Sequence, residues 1–127
     1  MVKKYVEFGA LTALSVVIGG FSLFVGYNKA LAPLAELREH SAWTIHLPVL
    51  LGRAVGWTEL LAASLLLLGL AFRPLARAGF WSACWITANH VAAAGFHIAH
   101  SETQTYSQSA VMITLCLVMT LLYWRRS

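Results

Sequence analysis

Two stretches of the chain carry groups able to do chemistry. Glu59 stands in an otherwise apolar run, "WTELLAASLLLL", and three histidines with one asparagine fall within "ANHVAAAGFHIAH", residues 88–100. A lone carboxylate and clustered imidazoles can clamp helices together, hold a ligand, relay a proton or bind a metal. Which of these applies depends on where the two stretches lie. On a helix turning about 100° per residue, His90 and His97 fall within about 20° of each other, and Asn89 and His100 form a second pair about 80° away. Gly52, Gly56 and Glu59 share one stripe, and small residues on such a stripe let a neighbouring helix come close.

The elements that must position these residues are membrane helices. The chain has 127 residues, 59% of them hydrophobic, 11% charged and none Asp; its mean hydropathy is +0.70. A soluble domain of this length needs far more charged surface. Four apolar runs stand out, roughly Phe8–Tyr27, Gly52–Phe72, Leu75–His97 and Ser107–Trp124. A helix needs about 20 residues to cross the hydrocarbon, and none of the runs alternates as a barrel strand does. The expected fold is all-α, a single membrane domain over residues 1–127 built as a four-transmembrane-helix bundle. A signal peptide is the competing reading of the first run, because Ala30-Leu31-Ala32 resembles a cleavage site. The spanning length of the run and the Pro33 that would follow the cut favour a membrane helix.

Basic residues give an orientation. Lys3, Lys4, Arg73, Arg77, Arg125 and Arg126 fall on one side, and Lys29, Arg38 and Arg53 on the other. The excess predicts that both termini face the cytoplasm, in an inner or plasma membrane. The net charge of +4 is dispersed over helix ends, so no nucleic-acid partner is expected. The second connection, "RPLAR", is tight; the first, residues 29–51, is long. Within it, "PLAELREHSAW" predicts a short interfacial helix opened by Pro33 and anchored by Trp43. Cys84 and Cys116 lie inside predicted helices and belong to no CxxC pair, so they read as buried free thiols.

Depth then follows from a rise of about 1.5 Å per residue. Glu59 and His90 both lie about 10 Å below the outer surface. Lys29, Arg53 and His97 lie nearer the rim, so the candidate ligand or partner cluster is Lys29, Arg53, Glu59, His90 and His97. An ionised carboxylate at that depth requires a partner. His97 and His90 are favoured, with Lys29 and Arg53 behind them. A metal is not expected, since HxxH at His97 and His100 sets its rings about 60° apart near solvent. Clamp, ligand site and proton transfer stay open on these residues, and no reaction is assigned.

The order of the pieces resembles a family. The first helix ends "FSLFVGYNKALAP", the second reads "GRAVGWTELLAASLLLLGLAFRPLARAG", and the third closes "FHIAHSETQTYSQSA". This is similar to the DoxX-like membrane proteins, with F-x-x-F-x-G-x-x-K, then G-x-x-E before a leucine run, then a histidine ending the third helix. The resemblance implies a four-helix bundle in which Gly26, Lys29, Glu59 and His97 match the family pattern. It also implies diverse roles: subunits linked to quinone-dependent oxidoreductases, companions of redox enzymes, and assembly factors. The leading expectation is an accessory or scaffolding subunit whose outer cluster engages a partner helix or a small amphipathic ligand, with another membrane protein or a second copy as its companion in the bilayer. The alternative is a quinone-binding membrane subunit of a redox enzyme, with His97 and Lys29 as donors and Trp57 as a wall; no other cofactor is expected.

Overall fold

The computed structural model describes residues 1–127, and they form helices joined by short turns, with no strand. Helix α1 spans Val2–Leu31, α2 Leu34–Glu39, α3 Val49–Ala71, α4 Ala76–Ala99 and α5 Tyr106–Arg126. Single 3₁₀ turns occupy Trp43–His46, Arg73–Leu75 and Thr103–Thr105. Three segments are long and apolar enough to cross a membrane: Val2–Leu31, Val49–Ala71 and Thr103–Arg126, with mean hydropathies of 2.1, 1.7 and 1.5. Helix α4 matches them in length at 24 residues. Its Arg77, Asn89, His90 and His97 make it more polar, and it is not one of the three.

The helices run past the apolar boundaries drawn from sequence, most of all in α1, which begins at Val2 and continues through Lys29 to Leu31. Hydropathy marks where hydrocarbon is tolerated. Backbone hydrogen bonding continues into the flanking polar turns until something stops it. In α1 the stop is Pro33, which forces Ala32 into an extended conformation (φ −69°, ψ 152°). Helices α2 and α4 stop in another way, each in the dipeptide His-Ser. Ser41 and Ser101 adopt left-handed backbone, with φ of 55° and 54°. The amide of Ala42 bonds the carbonyl of Leu37, and that of Glu102 bonds His97, closing two matching six-to-one turns.

Helix α1 packs along α3, α3 on α4, and α4 on α5; α1 and α5 meet over a shorter stretch. That stretch is at the end that carries both termini. There Glu7 pairs with Arg125 at 2.7 Å, and the Arg126 guanidinium lies 4.9 Å from the centre of the Phe8 ring while donating to the Leu70 carbonyl. The Tyr123 hydroxyl donates to the Leu66 carbonyl. Around Tyr123 lies the apolar core, which includes Leu11, Ile18, Leu66, Ile86 and Met119. Gly69 and Gly79 close the tight α3–α4 connection, since a Cβ on Gly69 would stand 2.8 Å from the Gly79 Cα. One half of the bundle is thus a close-packed apolar core. The buried ion pair and the histidines lie in the other half.

Candidate functional site

In that other half two short motifs face each other, Gly26-x-x-Lys29 on α1 and Gly56-x-x-Glu59 on α3. The glycines let the two backbones touch. A Cβ on Gly26 would lie 3.1 Å from the Gly56 carbonyl oxygen and 3.3 Å from the Glu59 Cβ, and one on Gly56 would lie 2.8 Å from the Lys29 carbonyl carbon. Each glycine therefore seats against the turn that carries the opposing charge. The close approach brings the Lys29 ammonium onto Glu59 Oε2 at 2.8 Å, with side chains only 8% and 1% exposed. Lys29 Nζ also stands 5.5 Å from the centre of the Trp43 ring, a cation–π distance. Arg53 Nη1 donates to the Lys29 main-chain carbonyl at 3.0 Å, so it braces the end of α1.

The carboxylate's partner is thus Lys29. The histidines favoured from depth alone do other things. His97 is buried and directs Nδ1 to Glu102 Oε1 at 3.0 Å, across the turn that ends α4. His90 stacks against Phe21, ring centres 6.4 Å apart, and its buried Nε2 has no hydrogen-bond partner. Trp43 does not lie out in an interfacial layer: it is 7% exposed and packs on Phe96, with ring centres 5.2 Å apart. Trp57 faces outward, 54% exposed, and forms no wall of the site.

Between these groups lies a cavity of about 270 Å³. Its floor is Lys29 and Glu59; Asn89, His90, Ala93 and His97 of α4 form one side, and Phe21 and Met112 contribute apolar surface from α1 and α5. The first connection roofs it with Leu37, Ala42 and Trp43. Of the five residues singled out by depth, the cavity brings four together, Lys29, Glu59, His90 and His97. Arg53 instead lines a small crevice on the far side of Lys29, beside Arg38.

Two residues that hold the roof were not singled out from sequence. Glu102 Oε1 accepts from His97 and, at 3.2 Å, from His46 Nε2, so one carboxylate oxygen joins the first connection to the last turn of α4. The His46 ring stacks on His100 with centres 3.5 Å apart, and Gln104 reaches the Ser41 hydroxyl at 3.4 Å. Burial pushes the Glu102 carboxyl upward, but the hydrogen bonds from His97 and His46, and their charge when protonated, outweigh it and hold the carboxyl below its ordinary value. A signal for Glu102 was present: it is the only carboxylate after Glu59 in the chain, set among histidines.

The model of the DoxX-like family matches residues 13–121. The chain therefore belongs to the DoxX-like family. No curated protein and no solved structure is significantly similar to it.

Proposed function

We propose that this DoxX-like protein binds a small amphipathic molecule in the cavity above Lys29 and Glu59, within a bundle of four membrane-crossing helices, and serves as an accessory subunit of a membrane assembly. The single observation behind the ligand reading is a roofed cavity whose floor is a buried ion pair and whose flanks combine the polar side of α4 with apolar surface from Phe21 and Met112. A partner helix is about 10 Å across with its side chains, too wide for about 270 Å³ beneath the roof. A small molecule fits that volume, which favours ligand over helix as the occupant. The accessory role rests on the chain's DoxX-like membership, since the resemblance implies companions of redox enzymes and assembly factors.

Four crossings are supported by packing. Helix α4 lies between α3 and α5, both long and apolar enough to span, and follows α3 after a turn of a few residues. This packing supports α4 running beside them through the same slab. Its polar groups face the cavity or the bundle: His97, Asn89 and Ser82 are buried, while Trp81 and Trp85 face outward. The distribution of basic residues favours both termini on the cytoplasmic side and α2 at the outer interface. Reporter fusions at Met1 and Ser127 test this; an external signal at either end reverses the orientation and moves the cavity to the inner half.

A quinone is the alternative occupant, and with it a redox role. Trp57 points away from the cavity, so Phe21 would have to supply the aromatic wall. Solvent extraction of protein purified in lipid nanodiscs, followed by chromatography and mass spectrometry, separates the readings. An amphiphile enriched over its share in the surrounding bilayer supports the ligand site, and a quinone among the enriched species supports the redox alternative. A composition identical to the bilayer's, with a stoichiometric protein partner, overturns the ligand reading.

A further inference from the structure

Resting on that ligand-binding reading, we infer that the occupant is a bilayer-dissolved amphiphile with an uncharged, hydroxyl-type head, and that it reaches the cavity sideways between α1 and α5. Charge decides the head. The ions on the cavity floor, Lys29 and Glu59, already compensate each other at 2.8 Å. An ionised head would add an uncompensated charge beside that buried pair, which is disfavoured. The other carboxylate on the cavity wall, Glu36, is exposed to water at the rim and would further disfavour an anion.

The polar atoms left over describe the head's chemistry. Lys29 bonds Oε2 of Glu59 and leaves Oε1 outside the pair. Asn89 uses Nδ2 on the Trp85 carbonyl, which leaves its side-chain carbonyl oxygen. Both of those oxygens accept hydrogen bonds, and the Lys29 ammonium keeps two further N–H donors. His90 Nε2, buried and unpartnered, donates or accepts according to its tautomer. A hydroxyl accepts from Lys29 and donates to one of these oxygens, whereas a head that can only accept leaves Glu59 Oε1 and the Asn89 carbonyl unpaired. The volume of about 270 Å³ compares with about 150 Å³ for a cavity that takes benzene, so it holds a ring or a short stretch of chain and a longer tail must project.

The tail has an outlet. Helices α1 and α5 are tied together near the termini by Glu7–Arg125 and Phe8–Arg126. Farther along, Phe21 and Phe24 of α1 and Ser109 and Met112 of α5 line the cavity. Phe24 is 69% exposed on the lipid-facing flank of this gap. The water-facing end is roofed and pinned through Glu102.

The test uses photoreactive diazirine analogues of decan-1-ol, decanoate and decylammonium at equal mole fraction in phosphatidylcholine nanodiscs, with labelled residues mapped by mass spectrometry. The alcohol should label Phe21, Phe24 or Met112 at least about tenfold more than either ion, the ratio that 1.4 kcal/mol of charge penalty produces. In Glu59→Gln, Lys29 is uncompensated and the preference should move toward decanoate. The comparison among probes in the unmodified protein stands even if that variant does not fold. Labelling there by an ion as strong as by the alcohol overturns the uncharged head and leaves the ligand site standing. Labelling of the cavity by none of the three overturns both. Alcohol labelling confined to Thr105 and His40 at the water-facing rim overturns the sideways route.

Discussion

Removing either member of the Lys29–Glu59 pair strands the other charge in a buried site. Glu59→Gln keeps the shape and a hydrogen-bonding end but removes the counter-charge, so the folded state should lose about 3–5 kcal/mol, the scale of a broken buried pair. Pairing that change with Lys29→Met should recover much of the loss, because a neutral pair carries no desolvation penalty. Denaturant unfolding in mild detergent checks both; a single-variant loss under about 1 kcal/mol would reduce the pair to an ordinary hydrogen bond. Glu102 gives a pH signature of the opposite end of the site. Its folded pKa lies below the ordinary 4.5, so the stability it supplies is present above that value and lost as pH falls through the lower folded value. Protection of the Trp43–His46 amides, measured by hydrogen exchange relative to their intrinsic rates, should fall over that acid range, and Glu102→Gln should make the segment exchange faster at neutral pH. Of these residues, the depth and isolation of Glu59 were legible in the sequence. Its partner was not, because counting along a helix gives depth but not the angle between helices. The choice of Lys29 over His97 follows from the two glycine contacts and from the reach of a lysine stem.

Helix spacing is set by glycine and helix termination by serine, and each makes a separate prediction. Gly56→Ala puts a methyl against the Lys29–Ala30 backbone, so α1 and α3 must separate. That should destabilise the fold by about 1–3 kcal/mol and lengthen the Lys29–Glu59 contact. Gly95→Ala, where a Cβ meets nothing within 4 Å, is the control and should be neutral or mildly stabilising. Ser41 and Ser101 hold left-handed backbone, which is unfavourable for any residue with a Cβ. Ser101→Gly should therefore raise stability by about 0.5–1 kcal/mol in thermal unfolding; a loss would mean that the serine side chain contributes more than the backbone strain it carries. The long helices were legible from their apolar length, and the break at Pro33 from proline chemistry. The two His-Ser turns were not. Glycine is the usual mark of a left-handed helix end, and serine there leaves no such signature, so nothing in the sequence marks the turn that places Glu102 on His97.

The whole molecule divides its work between two halves. Near the termini, apolar packing around Tyr123 and the arginine contacts draw α1 and α5 together. In the far half the same two helices part, and the polar residues of α1, α3 and α4 meet across the space beneath the first connection. Composition and the placement of basic residues made the membrane class readable at once, and the gathering of polar groups in one half followed from counting residues. The cavity was not readable, because it exists only through the divergence of α1 and α5 and through a roof whose pins, His46 and Glu102, lie 56 residues apart in sequence. The central claim is that this space holds a ligand. Native mass spectrometry of the gently solubilised protein, compared with Ala93→Phe, tests it most directly, since a phenyl ring on that buried cavity position occupies the space while both charged residues are retained. The account predicts a small-molecule adduct on the unmodified protein that disappears in Ala93→Phe while the helical circular dichroism is retained. The same adduct on both proteins, or on neither, would contradict it.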